Sequence, residues 1–328
     1  MNMCNRFALP DSFANMAPTA GLPVVILLAV YNGQSHLQAQ LDSIVAQSHT
    51  DWRVLASDDG SCDDSRAILH RFADAGHPLV LVDGPQQGPA ANFLHLLRCA
   101  AALGLGRHPI AFCDQDDVWA QDRLRTGLSA LSHQQADSPA LFCSRSVITD
   151  AALVPKHLSP LWSHPPAFTN ALIQNIAAGH TLLLNPAASG LVCAAAYEAG
   201  RIVMHDWWIY QLVTGAGGMV LHDKAALVFY RQHGHNLIGA NNTTRARLTR
   251  LGQLSRGDVR CWNDINIAAL RRSAHRLHPA NRIVLEGFCD LRRRSLPARL
   301  WALRRLGIHR QTRAGTVMMW FAALWGWL

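Results

Sequence analysis

Apolar and polar positions fall in blocks along this chain that predict alternating strands and helices. Val24–Val30 (VVILLAV) is an unbroken, β-branched apolar run, the mark of a strand buried on both faces. After a Tyr31-Asn32-Gly33 turn, Leu37, Leu41, Ile44 and Val45 recur at helical spacing, predicting a helix over 35–46. The same rhythm predicts strands over 53–56, 79–82 and 110–113, with helices over 63–72 and 90–103 between them. Further on it predicts a helix over 121–131, a strand over 140–148 and a Pro-rich loop over 155–170. A strand over 179–184 and a small-residue helix over 187–197 come next. The segment 205–213 opens on a charged-aromatic cluster, HDWW, and two short strands follow over 219–221 and 227–230. Strands alternating with helices imply right-handed crossovers and a mostly parallel sheet. There is no internal repeat.

The most informative stretch is 110–119, IAFCDQDDVW, where an apolar run ends abruptly in Asp114, Asp116 and Asp117. In open α/β sheets, ligands bind at the carboxyl ends of strands. If extended geometry persists through the motif, Asp114 and Asp116 point to one side and repel unless a cation lies between them. Oxygen ligands suit a hard divalent ion, Mg²⁺ or Mn²⁺, which brings substrate phosphates with it. The alternative is a helix N-terminus, where Asp is favoured by capping and by the dipole. No GxGxxG follows the first strand and no GxxxxGK[ST] occurs, so dinucleotide and P-loop readings lose their main support.

Composition narrows the class. The 328 residues are 49% hydrophobic, enough for a large core or two domains. The eight cysteines include no CxxC pair, as expected of free thiols in a reducing compartment. Residues 1–22 lack a basic start followed by an apolar core, and their prolines suggest a flexible leader. Charge is unevenly placed: residues 243–313 hold 17 Arg, no Lys and four acids, a net +13 that leaves −5 for the rest of a chain totalling +8. The last 15 residues, AGTVMMWFAALWGWL, carry no charge and three Trp, short of the ~20 residues a spanning helix needs. A basic helical stretch with a Trp-rich end is what an interfacial anchor on an anionic membrane requires. A tail packed on the domain or on a dimer partner is the alternative. No nucleic-acid-binding motif accompanies the arginines, so nucleic acid is not the expected partner.

The order of these motifs resembles the family 2 glycosyltransferases of GT-A fold, especially a bacterial rhamnosyltransferase-like branch. The resemblance is carried by VVILLAVYNGQSHLQAQLDSIVAQSHTDWRVLASDDGSCDDS, then FCDQDDVW, NIAAGHTLLLN, HDWW and YRQHGHN, over about residues 22–239. It implies a Rossmann-like GT-A domain over 23–240, with a mostly parallel central sheet and flanking helices; the leader over 1–22 and the basic helical tail over 241–328 fall outside it. It further implies an inverting, metal-dependent transfer of a sugar, with rhamnose suggested by the branch. The donor is a nucleotide-diphosphate sugar, and the acceptor a hydroxyl on a lipid-linked or cell-surface polysaccharide. The expected place is the cytoplasm, peripheral on the inner face of the cytoplasmic membrane.

Residue by residue, the resemblance sets Tyr31 and Asn32 beside the nucleobase and ribose, and gives Asp58 or Asp59 the base's hydrogen bonds. A simple turn at Asp58-Asp59-Gly60 is the alternative. Asp114 faces the ribose or metal side, and Asp116 ligates the metal, with His233 near the diphosphate or metal and Arg231 on phosphate. Asp117 caps the next helix in this reading, and Asp206 stands at the position of the catalytic base. His205 flanks it, Trp207 and Trp208 stack on sugar or fill the core, and His180 is structural or acceptor-side. Gln87 stands where the family more usually has Asn. Two competing readings remain: a metal-dependent phosphohydrolase or nucleotidyltransferase using the same carboxylates, and a non-catalytic carbohydrate-binding scaffold with a GT-A shell.

Overall fold

A computed structural model describes residues 22–233 and 258–325. The leader (apart from its last residue), the end of the YRQHGHN motif, the first arginines of the basic segment and the last three residues lie outside the described residues.

In chain order the elements of the first half are β1 (Val24–Val30), α1 (Leu37–Val45), β2 (Trp52–Asp58), α2 (Ser65–Asp74), β3 (Leu79–Asp83), α3 (Pro89–Ala102), β4 (Ile110–Asp114), β5 (Val118–Trp119) and α4 (Arg123–Ser132). Then come β6 (Ala140–Thr149), β7 (Pro155–Leu158), α5 (Phe168–Ala171), a 3₁₀ turn (Gly179–Thr181), β8 (Leu183–Leu184), α6 (Pro186–Ala196), α7 (His205–Gly215) and β9 (Met219–Arg231). The tail adds α8 (Asp258–Arg272), α9 (Pro279–Cys289), α10 (Leu296–Leu306) and α11 (Arg313–Leu324).

One sheet runs β3-β2-β1-β4-β8-β6-β9-β5, with β7 on β6. The first four strands are parallel, β8 is antiparallel to β4 and β6, and β6 and β9 are parallel. β1 shows why its sequence has no polar position. Val25 and Leu27 face the layer built by α3, α6, α7 and the tail, while Val24, Ile26, Leu28 and Val30 face the layer of α1, α2 and α4. Period-2 alternation with both faces covered leaves no solvent side.

The structure departs from the expected elements in three places. Only Leu183 and Leu184 of the expected strand over 179–184 are extended, because residues 179–181 turn in 3₁₀ form. The two expected strands over 219–230 are one, β9, whose pairing with β6 slips around Arg145 and lets the polar centre, His222 to Lys224, pass through the ladder. The Pro-rich loop contains an exposed edge strand, β7, and the short α5. Seven cysteines among the described residues are free, with Cys62 and Cys261 exposed.

The basic tail lies on the domain through its inner face. Leu270, Leu277, Leu285, Phe288, Leu303 and Met319 join the same core layer as Trp208, Ile209 and Leu212 of α7. Arg276 pairs with Glu198 at 2.5 Å, and Arg272 donates to the Ala199 carbonyl at 3.0 Å. No helix among the described residues is long and apolar enough to cross a membrane.

Candidate active site

The carboxyl ends of β1, β2 and β4 lie side by side, since Ala29 pairs with Ser57 and with Asp114. Each strand therefore ends in a turn over one edge of the sheet, and the sequence's acidic clusters meet there.

The first turn is tied to the third. Gln115 accepts the Tyr31 N–H at 2.7 Å and donates to the Tyr31 carbonyl at 2.9 Å, as a neighbouring strand would. Tyr31 itself is exposed. Asn32 takes a left-handed φ of 48° and accepts the Cys62 N–H at 2.8 Å, while its own N–H donates to Ser61 Oγ at 2.9 Å. A Cβ at Gly33 would fall 2.5 Å from Gln115 Oε1, so a larger residue there displaces the Gln115 side chain from Tyr31.

The second turn has its acids fully engaged. Buried Asp58 accepts from Arg66 at 3.1 Å and from the Ser61 hydroxyl, and Arg66 also reaches Asp83 at 2.9 Å. Both oxygens of Asp59 accept backbone N–H groups, from Gln86 at 2.6 Å and Gly88 at 2.8 Å. Asp59 thus fastens the loop after β3, the loop in which Gln87 stands.

The third turn is different. Extended geometry stops at Asp114, and Gln115 and Asp116 form a turn before β5, so the three acids do not alternate as expected. Asp116 Oδ2 lies 2.8 Å from His233 Nε2, each side chain about 18% exposed. His233 in turn packs near His36, ring centroids 5.1 Å apart. Asp117 caps no helix: it is fully buried, with Oδ1 accepting the Arg231 N–H at 3.1 Å and Oδ2 partnerless, 4.0 Å from His180 Nδ1. His180 stacks on Tyr230, and its Nε2 lies 2.7 Å from Ser146 Oγ. The donor atoms of Asp114, Asp117 and His180 lie within 4.8 Å of one another. Arg231 directs its guanidinium to the Asp116 carbonyl at 2.8 Å and the Ala151 carbonyl at 2.5 Å, so it braces the acidic turn through backbone oxygens.

Burial and mutual repulsion dominate the charges. Burial, then the charges of Asp116 and Asp206, pushes the Asp114 carboxyl up to about 7. Burial, then the charges of Asp116 and Asp114, drives Asp117 well above the usual carboxylate range. Burial lowers His180 to about 3, with Arg123 contributing. A neutral imidazole and crowded carboxylate oxygens, one with no partner, are a donor set that a hard divalent cation fits.

Asp206 sits in the first turn of α7, where the helix dipole favours a carboxylate. It accepts from Gly179 N–H at 3.0 Å and Trp207 N–H at 2.7 Å, with the Asn175 side chain beside it. Burial raises its carboxyl to about 6 against these polar neighbours. His205 stacks on Phe93 with centroids 3.8 Å apart, and Trp207 and Trp208 are both buried.

Sequence reasoning missed Gln115, Asn175, Ser146 and Arg123. Arg123 is buried under Trp119 and donates to the carbonyls of Phe112, His180 and Leu182, joining β4 to the 3₁₀ turn. Only its place just after the acidic motif could have singled it out.

This sheet, with a parallel half, an antiparallel join and acids over the carboxyl edge, is the GT-A glycosyltransferase architecture. The Staphylococcus aureus protein TarS, solved in complex with UDP-GlcNAc, shares the fold at a TM-score of 0.53 and 12% identity, over 87% of this chain and 80% of that one. Residues 25–180 match the model of glycosyl transferase family 2, and this segment belongs to that family. The Shigella flexneri dTDP-rhamnosyl transferase RfbG is 26% identical over 234 residues, 69% of this chain and 78% of that protein. The Escherichia coli glucosyltransferase WfgD, named for a diphosphoundecaprenol-linked GlcNAc acceptor, is 27% identical over 137 residues, 42% of this chain and 51% of that protein.

Proposed function

We propose that the protein is an inverting, metal-dependent glycosyltransferase that moves a sugar from a nucleotide-diphosphate donor to a hydroxyl of a lipid-linked or cell-surface saccharide. The carrying observation is that Asp206 accepts the Gly179 N–H at 3.0 Å while the next residue, His180, lies with Asp114 and Asp117, donor atoms within 4.8 Å of one another. A donor-side acid and the acceptor-side base thus share one site. The S. flexneri relative supports rhamnose as the sugar, and the E. coli relative supports a lipid-diphosphate acceptor.

Asp114, Asp117 and His180 would hold the cation, with Asp116, paired to His233, beside them. When bound, Mg²⁺ or Mn²⁺ supplies countercharge to the departing nucleoside diphosphate. Tyr31, Asn32 and the Asp58-Asp59 turn border the nucleoside, and Arg231 holds the acidic turn in shape. Asp206 accepts the proton of the acceptor hydroxyl. The hydroxyl oxygen forms its bond to the donor's C1 while the C1–O bond breaks, and that electron pair leaves with the diphosphate. A single in-line attack inverts the anomeric centre. General-base help of this kind contributes about 10²–10⁴-fold. The test is a panel of nucleotide sugars with Mg²⁺ or Mn²⁺. Asp206→Asn lowers transfer by about 10²-fold or more while donor binding stays near wild type; equal loss of both overturns the assignment.

The same reading places the protein at the inner face of the cytoplasmic membrane. The outer side of α10 and α11 exposes Trp301, Val317, Met318, Phe321 and Trp325, and Arg304, Arg305 and Arg313 are exposed beside them. Indole rings and arginines together suit an anionic lipid surface. Trp301→Ser with Phe321→Ser and Trp325→Ser abolishes sedimentation with anionic vesicles and leaves donor binding intact. Unchanged sedimentation refutes this docking.

A further inference from the structure

Between α10 and α11 the chain passes under the loop that follows α5, and the contact is polar and buried. Gln311, 1% exposed, donates its backbone N–H to Gln174 Oε1 at 2.9 Å and accepts the His164 N–H on its own Oε1 at 3.0 Å. Its Nε2 lies 3.5 Å from Oδ1 of the fully buried Asn170. Asn170 donates to the His309 carbonyl at 3.1 Å and to Gln174 Oε1 at 3.4 Å, and its Oδ1 takes the Tyr210 hydroxyl at 3.0 Å. Arg310 donates to the Ile173 carbonyl at 3.3 Å.

This loop leads straight to Asp206. Asn175, next to Gln174, accepts the Ala177 N–H at 3.1 Å and lies beside the Asp206 carboxylate, which accepts the Gly179 N–H of the same loop at 3.0 Å. Asn175 and Gly179, both beside Asp206, therefore belong to a segment whose other end is fastened by the tail. Buried amides are satisfied in one register only, so the contact fixes that register sharply.

We propose that Gln311 is a positioning residue for transfer. Through Gln174 and Asn170 it sets the loop over 170–179, and through Asn175 and Gly179 the loop sets the direction of the Asp206 carboxylate. The basic tail is thereby a working part of the acceptor side. The proposal rests on Asp206 being the base. A misplacement of about 1 Å at a reacting group costs up to ~10²-fold, so a loosened loop is expected to cost about tenfold.

The experiment is a mutant cycle on the full chain, reading kcat for transfer, donor Kd and melting temperature. Gln311→Leu and Asn175→Ala each lower kcat about tenfold with donor Kd unchanged, and together they lose no more than either alone. In an Asp206→Asn background, Gln311→Leu changes residual transfer no further. Arg310→Ala is the milder second variant, removing the same segment's bond to Ile173 with a loss of about threefold; it decides the matter if Gln311→Leu does not fold. Parallel loss of donor binding and kcat, or losses that multiply in the Asp206→Asn background, overturns the proposal as mere destabilisation. If Asp206→Asn collapses transfer while Gln311→Leu and Arg310→Ala keep full kcat, this proposal alone falls. If Asp206→Asn keeps full transfer, the base assignment falls and this proposal with it.

Discussion

The turn after β2 and the turn after β4 both set close-spaced acids over the same edge of the sheet, Asp58-Asp59 in one and Asp114, Asp116 and Asp117 in the other. In the first, an arginine, a serine and two loop N–H groups occupy the carboxylates. In the second, burial and the charge of Asp116 push Asp114 and Asp117 upward, and one oxygen of Asp117 has no partner. The first turn's acids stabilise the protein by themselves; the second turn's acids await a countercharge. Acid count alone does not mark a ligand site. What marks it is an acid that the protein's own donors leave unpaired.

The sharpest way to break this contrast is Asp116→Asn. It lowers metal-dependent donor binding about 10²-fold or more, measured by calorimetry with Mn²⁺ and the nucleoside diphosphate. Near-normal binding would move the donor away from the β4 turn. Next in size is the response to metal alone. At a hundred times its Kd, Mn²⁺ stabilises the wild type by about 2.7 kcal/mol, read as a melting shift that Asp114→Asn abolishes.

Asp59→Asn moves the other way in kind. An amide offers one acceptor where two N–H groups converge, so stability falls by about 1–3 kcal/mol, equally with and without metal, in denaturant titrations. Smallest is the pH response of kcat/KM for transfer, which reports the groups of the free protein. Only the charged Asp206 can take a proton, and burial raises its carboxyl to about 6. Activity is therefore full above that value and falls about tenfold for one pH unit below it, worth about 1.4 kcal/mol. A rate flat down to pH 5 removes Asp206 from the proton transfer.

Much of the donor half was legible before any coordinates. β1 to β4 and α1 to α3 announce themselves by runs and periods, which are local properties. The acids end those strands, so their place over the sheet edge follows from the strand order of such folds. The acceptor half was harder to read. Leu183 and Leu184 suffice as a strand only because β4 and β6 lie on either side. Likewise Pro155–Leu158 is extended because an open edge of β6 receives it.

The amino-acid order by itself determined the alternating elements, the acidic strand ends, the HDWW cluster that holds Asp206 and the basic character of the tail. Each depends on neighbours within a few residues, where period, capping and charge act directly. Tertiary structure alone decided that Asp117 meets His180, that Asp116 meets His233, and that Gln311 fastens the loop beside Asp206. Those pairs are separated by 63, 117 and 137 residues. Only the packing of the sheet's two halves and the docked tail brings them together, because a side chain's partners are set by the shape of the whole core and not by spacing along the chain.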